Sequence, residues 1–363
     1  MIDVEIDIMP RRILGLVAVT TLAVGGLTAC SGTSDETTEG TVDLAPDSLT
    51  IVAYESFIPP DDAFDQFTAD TGIGVRIRTA GDAGEMVSKA ILTAGNPEGD
   101  VLWGGDNTLL QRALDADVFD PYASPEPALL DELASTTSVV TPVDYGDVCV
   151  NYDIDYLDVL GLEPPTSFDD LTKPEYTDLL VTADPTTSST GLAFMLGTRV
   201  AFGDAWTDYW RELVDNGLLV VNGWEDAYYT SFTLHGGDRP LVVSYASSPP
   251  AEIVFADPPL PAGVPPISGV AAGTCFRQIE YVGVLKGTKH VEAARRLVDY
   301  LVGAGFQSIL PESLFVYPAN DSVDLPESFT TYAPRIESPY SLTPDEIATN
   351  RDGWLEQWSQ IVG

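Results

Sequence analysis

The alternation of short apolar runs with helical spacing between residues 49 and 114 constrains the fold more than any other feature of this chain. The run 49–54 (LTIVAY) has almost no polar interruption, which marks a strand covered on both faces. Residues 73–78 (IGVRIR) alternate as a strand does, and 101–103 (VLW) make a third short run. Between and after these runs, Phe64 and Phe67, then Met86, Val87, Ala90 and Ile91, then Leu109, Leu110, Ala113 and Leu114 recur at helical spacing. Strand and helix in strict alternation predict an α/β lobe whose sheet is mostly parallel and flanked by helices. Ligands of such sheets gather at the carboxyl ends of the strands.

From residue 143 the pattern restarts. The stretch 143–153 (VDYGDVCVNYD) reads as a strand long enough to pass from one lobe into a second. A strand at 179–183 follows, then a turn at 184–191 (DPTTSSTG) and a helix at 192–202. The hydroxyls and glycine of that turn suit two roles, plain helix capping or presentation of oriented N–H groups to a phosphate or ring nitrogen. In the helix 204–215, Trp206, Trp210, Leu213 and Val214 read as core. Strands are expected at 240–246 and 278–285, an exposed turn at 234–240, and an irregular Pro and Gly-rich excursion at 256–273. A helix at 291–302, a turn at 315–318 and a helix at 345–362, with Trp354 and Trp358 four apart, close the chain. A length of 363 residues fits two lobes. The expected division is 49–145 and 283–320 for the first lobe, 146–282 for the second, and 321–363 for a C-terminal helical segment.

The N-terminus reads as a targeting segment. Arg11-Arg12 precede an apolar run at 13–26 that is too short to span a membrane, and it ends in Leu27-Thr28-Ala29-Cys30. That ending resembles the lipobox of bacterial and archaeal lipoproteins, so residues 1–30 are expected to be a leader with Cys30 as the lipidated residue. Residues 1–8 are acidic, unlike the start of such a leader, which makes Met9 the expected natural start. Residues 31–48, almost free of bulky apolar side chains, read as a flexible tether. With Cys30 set aside, Cys149 and Cys275 remain. An exported pair reads as a disulfide, against two alternatives: separate buried thiols, or a reactive nucleophile.

Acids dominate the charge, with 56 Asp and Glu against 17 Lys and Arg and a net charge of -39. A nucleic-acid partner is excluded on that balance. His235 and His290 have no ligand-spaced partners, so no catalytic metal is expected. The chain has no Walker loop, no GxGxxG after its first strand and no GxSxG elbow. Cys149 with Glu280 is the one nucleophile and base pairing that stands out.

The stretch 222–250 concentrates rings and small hydroxyls. Trp224, Tyr228, Tyr229 and Tyr245 stand among Ser244, Ser247 and Ser248, with Glu225, Asp226 and Asp238 against a single Arg239. Flat rings beside acids suit a flat, positively charged organic ligand; ordinary core packing is the other reading.

Seven pieces then follow one another in order: Tyr54-Glu55-Ser56-Phe57, Gly105-Asp106-Asn107, Val143-Asp144-Tyr145-Gly146, 184–192, Gly223-Trp224-Glu225-Asp226-Ala227-Tyr228, Val243-Ser244-Tyr245 with Ser248-Pro249, and Tyr317-Pro318. As a set they resemble the extracytoplasmic solute receptors of ABC importers with the two-lobed type II periplasmic-binding-protein fold, and among these the thiamine-binding receptors. The resemblance implies a ligand held between the lobes, contacted by Tyr54, Ser188, Trp224 and Tyr245, with Asp106 facing it. Phe315 stands where relatives place a tryptophan, and Ala251 where they place a second tyrosine. Glu55, Asn107, Ser189, Ser248 and Glu280 are further candidates. Thiamine or a thiamine phosphate is the implied ligand, an ABC permease and the membrane (through Cys30) the implied partners, and a monomer without cofactor or enzymatic activity the implied form. Two alternatives stay open: a thiaminase-like enzyme with Cys149 as nucleophile and Glu280 as base, and the same receptor serving another cationic solute.

Overall fold

Leu49, Ile51 and Ala53 of strand β1 (Ser48–Ala53) point to one apolar cluster and Val52 to another, so both faces of the strand are covered. The helix Val291–Val302 closes the first face with Leu297, Val298 and Leu301, and the helix Ala83–Leu92 closes the second with Met86 and Val87. That two-sided burial is why the run reads as continuously apolar. The structure is a computed structural model and describes residues 46–126, 128–130, 133, 138–260 and 263–363. The expected leader with Cys30, the start at Met9 and the tether through residue 45 lie outside the described residues.

Nine further strands complete the sheet: β2 (Gly74–Thr79), β3 (Val101–Asp106), β4 (Phe119–Asp120), β5 (Thr141–Asp153), β6 (Leu180–Ala183), β7 (Leu219–Val221), β8 (Leu241–Tyr245), β9 (Ser268–Leu285) and β10 (Tyr317–Pro318). Their order is β2-β1-β3-β9-β5-β8-β6-β7, with β10 on β5 and β4 on β9. Parallel pairs occupy the two ends, β2 and β3 about β1, and β7 and β8 about β6. Every ladder that includes β5 or β9 is antiparallel. These two long strands join the α/β ends, with β5 and β9 paired from Thr141 opposite Val282 to Asp153 opposite Ser268.

Two expectations are corrected here. Residues 268–273, read as part of an irregular excursion, belong to β9 and pair with β5. Their glycines are close-approach positions: a Cβ on Gly269 would lie 2.3 Å from the Tyr152 ring, and one on Gly273 would lie 2.3 Å from the Thr166 carbonyl oxygen. The expected turn at 315–318 holds a short strand, with Tyr317 opposite Tyr145. The remaining elements lie close to where the pattern puts them, including the helices Ser189–Phe202, Trp206–Asp215 and Pro344–Val362. The last of these buries Trp354 and Trp358 and packs Trp358 edge-on against Trp210, with centroids 5.7 Å apart.

The ladder of β5 and β9 shifts register between Val148 and Val150, and a disulfide joins Cys149 to Cys275 at that shift. The readings of Cys149 and Cys275 as separate thiols, or of Cys149 as a nucleophile, are therefore set aside. The bond joins residues 126 apart. Restricting so long a loop in the unfolded chain stabilises the fold by roughly 4 to 5 kcal/mol on the chain-entropy account. Replacing both cysteines by alanine is expected to lower the unfolding free energy by about 4 kcal/mol, read from urea denaturation curves. Neither thiol of the unreduced protein is expected to react with a thiol reagent under denaturing conditions.

Candidate functional site

Strand ends and helix starts converge on one cavity of about 530 Å³. Tyr54 enters it directly after β1, Tyr245 from the last residue of β8, and Trp224 from the start of the helical turn that continues as Asp226–Ser231. Trp224 stacks on Tyr228, with centroids 5.1 Å apart and planes at 18°, and meets Tyr245 edge-on at 6.4 Å. Its indole is fixed at the far side, where Nε1 donates to Ser244 Oγ at 3.0 Å and Ser244 in turn bonds Ser248 at 2.9 Å. A ring held in this way presents its face at little further cost in entropy.

Phe315 supplies a ring from a strained position. Its φ of 55° is rare for a bulky residue. The conformation is held by its neighbours, because Ser247 Oγ donates to the Phe315 carbonyl at 2.6 Å and the Phe315 N–H donates to Leu310 O at 3.1 Å. Ala251 borders the cavity without a ring, as its sequence position foretells. One helical turn later Phe255, 65 % exposed, lies edge-on to Phe315 with centroids 5.3 Å apart and lines the same space.

Acids line the cavity between these rings. The Tyr54 hydroxyl donates to Glu280 Oε2 at 3.1 Å, and Gly104, with φ of 91°, makes room for the tyrosine: a Cβ there would lie 2.3 Å from its ring. Burial, then the charge of Asp144, hold the Glu280 carboxyl well above the usual carboxylate range. Burial and the charge of Glu225 raise Glu55, and burial raises Asp82.

Asp82 spans two elements. It is the residue before the helix Ala83–Leu92, yet it does not cap that helix with its side chain. Its carboxylate accepts instead from the Ser189 N–H at 3.2 Å and the Trp224 N–H at 3.0 Å. Ser188 stands at the N-cap of the helix Ser189–Phe202 without a capping bond of its own and pairs with Thr190 at 3.0 Å. The cap at Ser189 thus comes from the other end of the sheet.

Of the residues expected at a ligand, Tyr54, Trp224, Tyr245 and Phe315 border the cavity, as do Glu55, Ser189, Ser248 and Glu280. Asp106, Asn107 and Ser188 do not. Asp106 sits at the end of β3, but its carboxylate turns back to accept from Thr108 N–H at 2.9 Å, Thr108 Oγ at 2.6 Å, Leu109 N–H at 3.1 Å and Gln278 Nε2. Burial pushes it up to about 6. Asn107 clamps β9 through the Ile279 N–H and the Arg277 carbonyl. Asp82, Tyr228, Tyr229, Thr190 and Phe255 border the cavity and had no part in the expected ligand set. Asp82 was detectable as an acid just past a strand end, and Phe255 as a ring one turn beyond Ala251.

With Cys149 bonded to Cys275, the enzyme alternative has no thiolate for Glu280 to activate. A cavity walled by rings and acids lies where two strands join the ends of a mixed sheet. The chain belongs to the bacterial extracellular solute-binding protein family, whose model matches residues 62–335. It is similar to the thiamine-binding periplasmic protein of Salmonella typhimurium, 26 % identical over 318 residues that cover 86 % of this chain and 93 % of that one. The thiamine-binding periplasmic protein of Brucella suis is 26 % identical over 352 residues, 96 % of this chain and 98 % of its own. Among solved structures, a periplasmic thiamin binding protein superposes with a TM-score of 0.78 at 25 % identity, covering 88 % of this chain and 99 % of its own. A ferric binding protein from Campylobacter jejuni shares the fold at 15 % identity, with a TM-score of 0.68 over 86 % of this chain and 99 % of its own. The architecture is the type II periplasmic-binding-protein fold.

Gly104→Ala tests the seat of Tyr54. It is expected to destabilise the protein by at least about 1 kcal/mol, from positive φ and the ring clash together, as measured by a fall in Tm.

Proposed function

We propose that the protein is the lipid-anchored receptor of an ABC importer and that its ligand is thiamine. The observation that carries this reading is the lining of the cavity: Trp224, Tyr228, Tyr245 and Phe315 offer ring surface, Glu55, Asp82, Glu225 and Glu280 bring acidic groups, and among the described residues no Lys or Arg lines it. Thiamine is flat and carries a permanent thiazolium charge, which suits such walls. A cation over a desolvated ring contributes roughly 0.5 to 2 kcal/mol, so several faces must act together. The names of the relatives point to the same ligand.

In this reading, 49–145 with 283–320 and 146–282 are lobes that close on the ligand by a hinge motion at the strands joining them, and 321–363 is a helical segment applied to them. Cys30 carries the lipid, the protein works as a monomer at the outer face of the membrane, and a permease receives the ligand. Asp82 already takes the Ser189 and Trp224 N–H groups that a phosphate would need, and Glu55 and Glu225 stand close by. Thiamine is therefore the preferred form over its phosphates.

Titration with thiamine is expected to quench tryptophan fluorescence and raise Tm at micromolar ligand, with thiamine monophosphate weaker. No response to either compound would overturn the assignment, and a response to a polyamine alone would assign the receptor to another cation. Trp224→Ala is expected to weaken thiamine binding by well over tenfold with the fold intact by circular dichroism, an effect of about 1.4 kcal/mol or more.

A further inference from the structure

The two crossing strands place a pair of carboxyl groups side by side. Asp144 on β5 and Glu280 on β9 are register partners in the antiparallel ladder, where opposed side chains share a face. Asp144 is 0 % exposed and Glu280 5 %, and only Glu280 borders the cavity. Apart from Glu280 itself, no described residue gives a hydrogen bond to either oxygen of Asp144. The basic residue nearest along the ladder, Arg277, is engaged at 2.6 Å by Asp147. Two buried carboxylates with no cation between them do not both ionise, and a retained proton is the donor that the pair lacks.

We propose that Asp144 and Glu280 share a proton in the free protein and that a cation seated beside Glu280 expels it, which makes Asp144 a determinant of charge selectivity that the ligand need not touch. The inference rests on the cationic-ligand reading above. In the step, one carboxyl O–H bond breaks, its proton passes to buffer, and the electron pair stays on the carboxylate that faces the cation. No redox partner is required.

Among the described residues, the titratable groups that face the pair are acidic or phenolic. Tyr54, following β1, donates to Glu280 and favours its ionised form; Asp106 at the end of β3 and Asp82 before the helix Ala83–Leu92 favour retention of the proton; Tyr245 on β8 stands against the same carboxyl. On β10 the residue opposite Asp144 is Pro318, which does not titrate. Burial pushes Asp144 up to about 8. A bound cation lowers the affinity of the pair for its proton, so ligand affinity rises with pH as the pair gives up its proton and is lost as pH falls through the raised titration of the pair.

The test is calorimetric titration of the full-length protein with thiamine at about pH 6 and about pH 8, in two buffers of different ionisation enthalpy. The expected result is a Kd lower by roughly fivefold or more at the higher pH, with buffer-dependent heats that correspond to release of up to about one proton per ligand. The uncharged thiazole fragment, 4-methyl-5-(2-hydroxyethyl)thiazole, is expected to show neither effect. Asp144→Asn, whose amide donates to Glu280, should flatten the pH profile while retaining affinity at the higher pH within about threefold. A purely structural Asp144 would lower Tm and leave the profile unmoved, which would overturn the proposal. Thiamine bound with a pH-independent Kd and no proton release by the wild type would overturn the inference alone. Failure to bind thiamine at either pH would overturn the ligand assignment and this inference with it. Should Asp144→Asn not fold, the wild-type proton count still decides.

Discussion

The antiparallel ladder of Thr141–Asp153 with Ser268–Leu285 is the constraint on which the rest of the structure depends. Each strand borders a parallel cluster at one end of the sheet through β3 or β8, so no route between the ends avoids them. Strands this long and this buried must satisfy their backbone groups along both edges, and they do so with β3, β4, β8 and β10. The disulfide falls at the shift in register, the place where pairing alone holds the ladder least. Tyr245 and Glu280 reach the cavity because β8 and β9 flank β5 there.

Polar side chains tie the neighbourhood of the cavity together. The Asp82 carboxylate reaches from the start of one helix to the start of another and to Trp224. Ser247 holds the Phe315 carbonyl, and Ser244 with Ser248 holds the Trp224 indole. Hydrogen bonds of this kind are directional, so they fix ring orientation where a purely apolar contact would leave it loose.

Much of this was legible in the sequence, for reasons particular to the residues concerned. Tyr54 and Tyr245 end apolar runs, and strand ends are where sheets of this class gather function. Trp224 begins a helical turn beside acids, and the order of the motifs around it marked it out. Asp106 also ends a strand, but sequence order does not say which way a carboxylate turns. The Thr108 hydroxyl and two N–H groups of the next turn capture it first. Ser188 stands at a helix N-cap, yet the Ser189 N–H is taken by Asp82, 107 residues earlier, a partner that local sequence does not reveal. Residues 268–273 were hidden by composition: two glycines and a preceding proline cluster signal a loop, and only contact with Tyr152 and Thr166 explains them as strand.

Phe255, one turn after Ala251, lines the cavity edge-on to Phe315.

The depth of the acid pair bears on the ionic conditions under which the protein can work. Most of its acids are solvated, and at about 0.15 M ionic strength their fields decay within roughly 8 Å. Asp144 and Glu280 are buried and are screened much less. On the proposed reading, salt that silences the surface weakens the charge beside the cavity far less, so selection for a cation would persist in saline conditions.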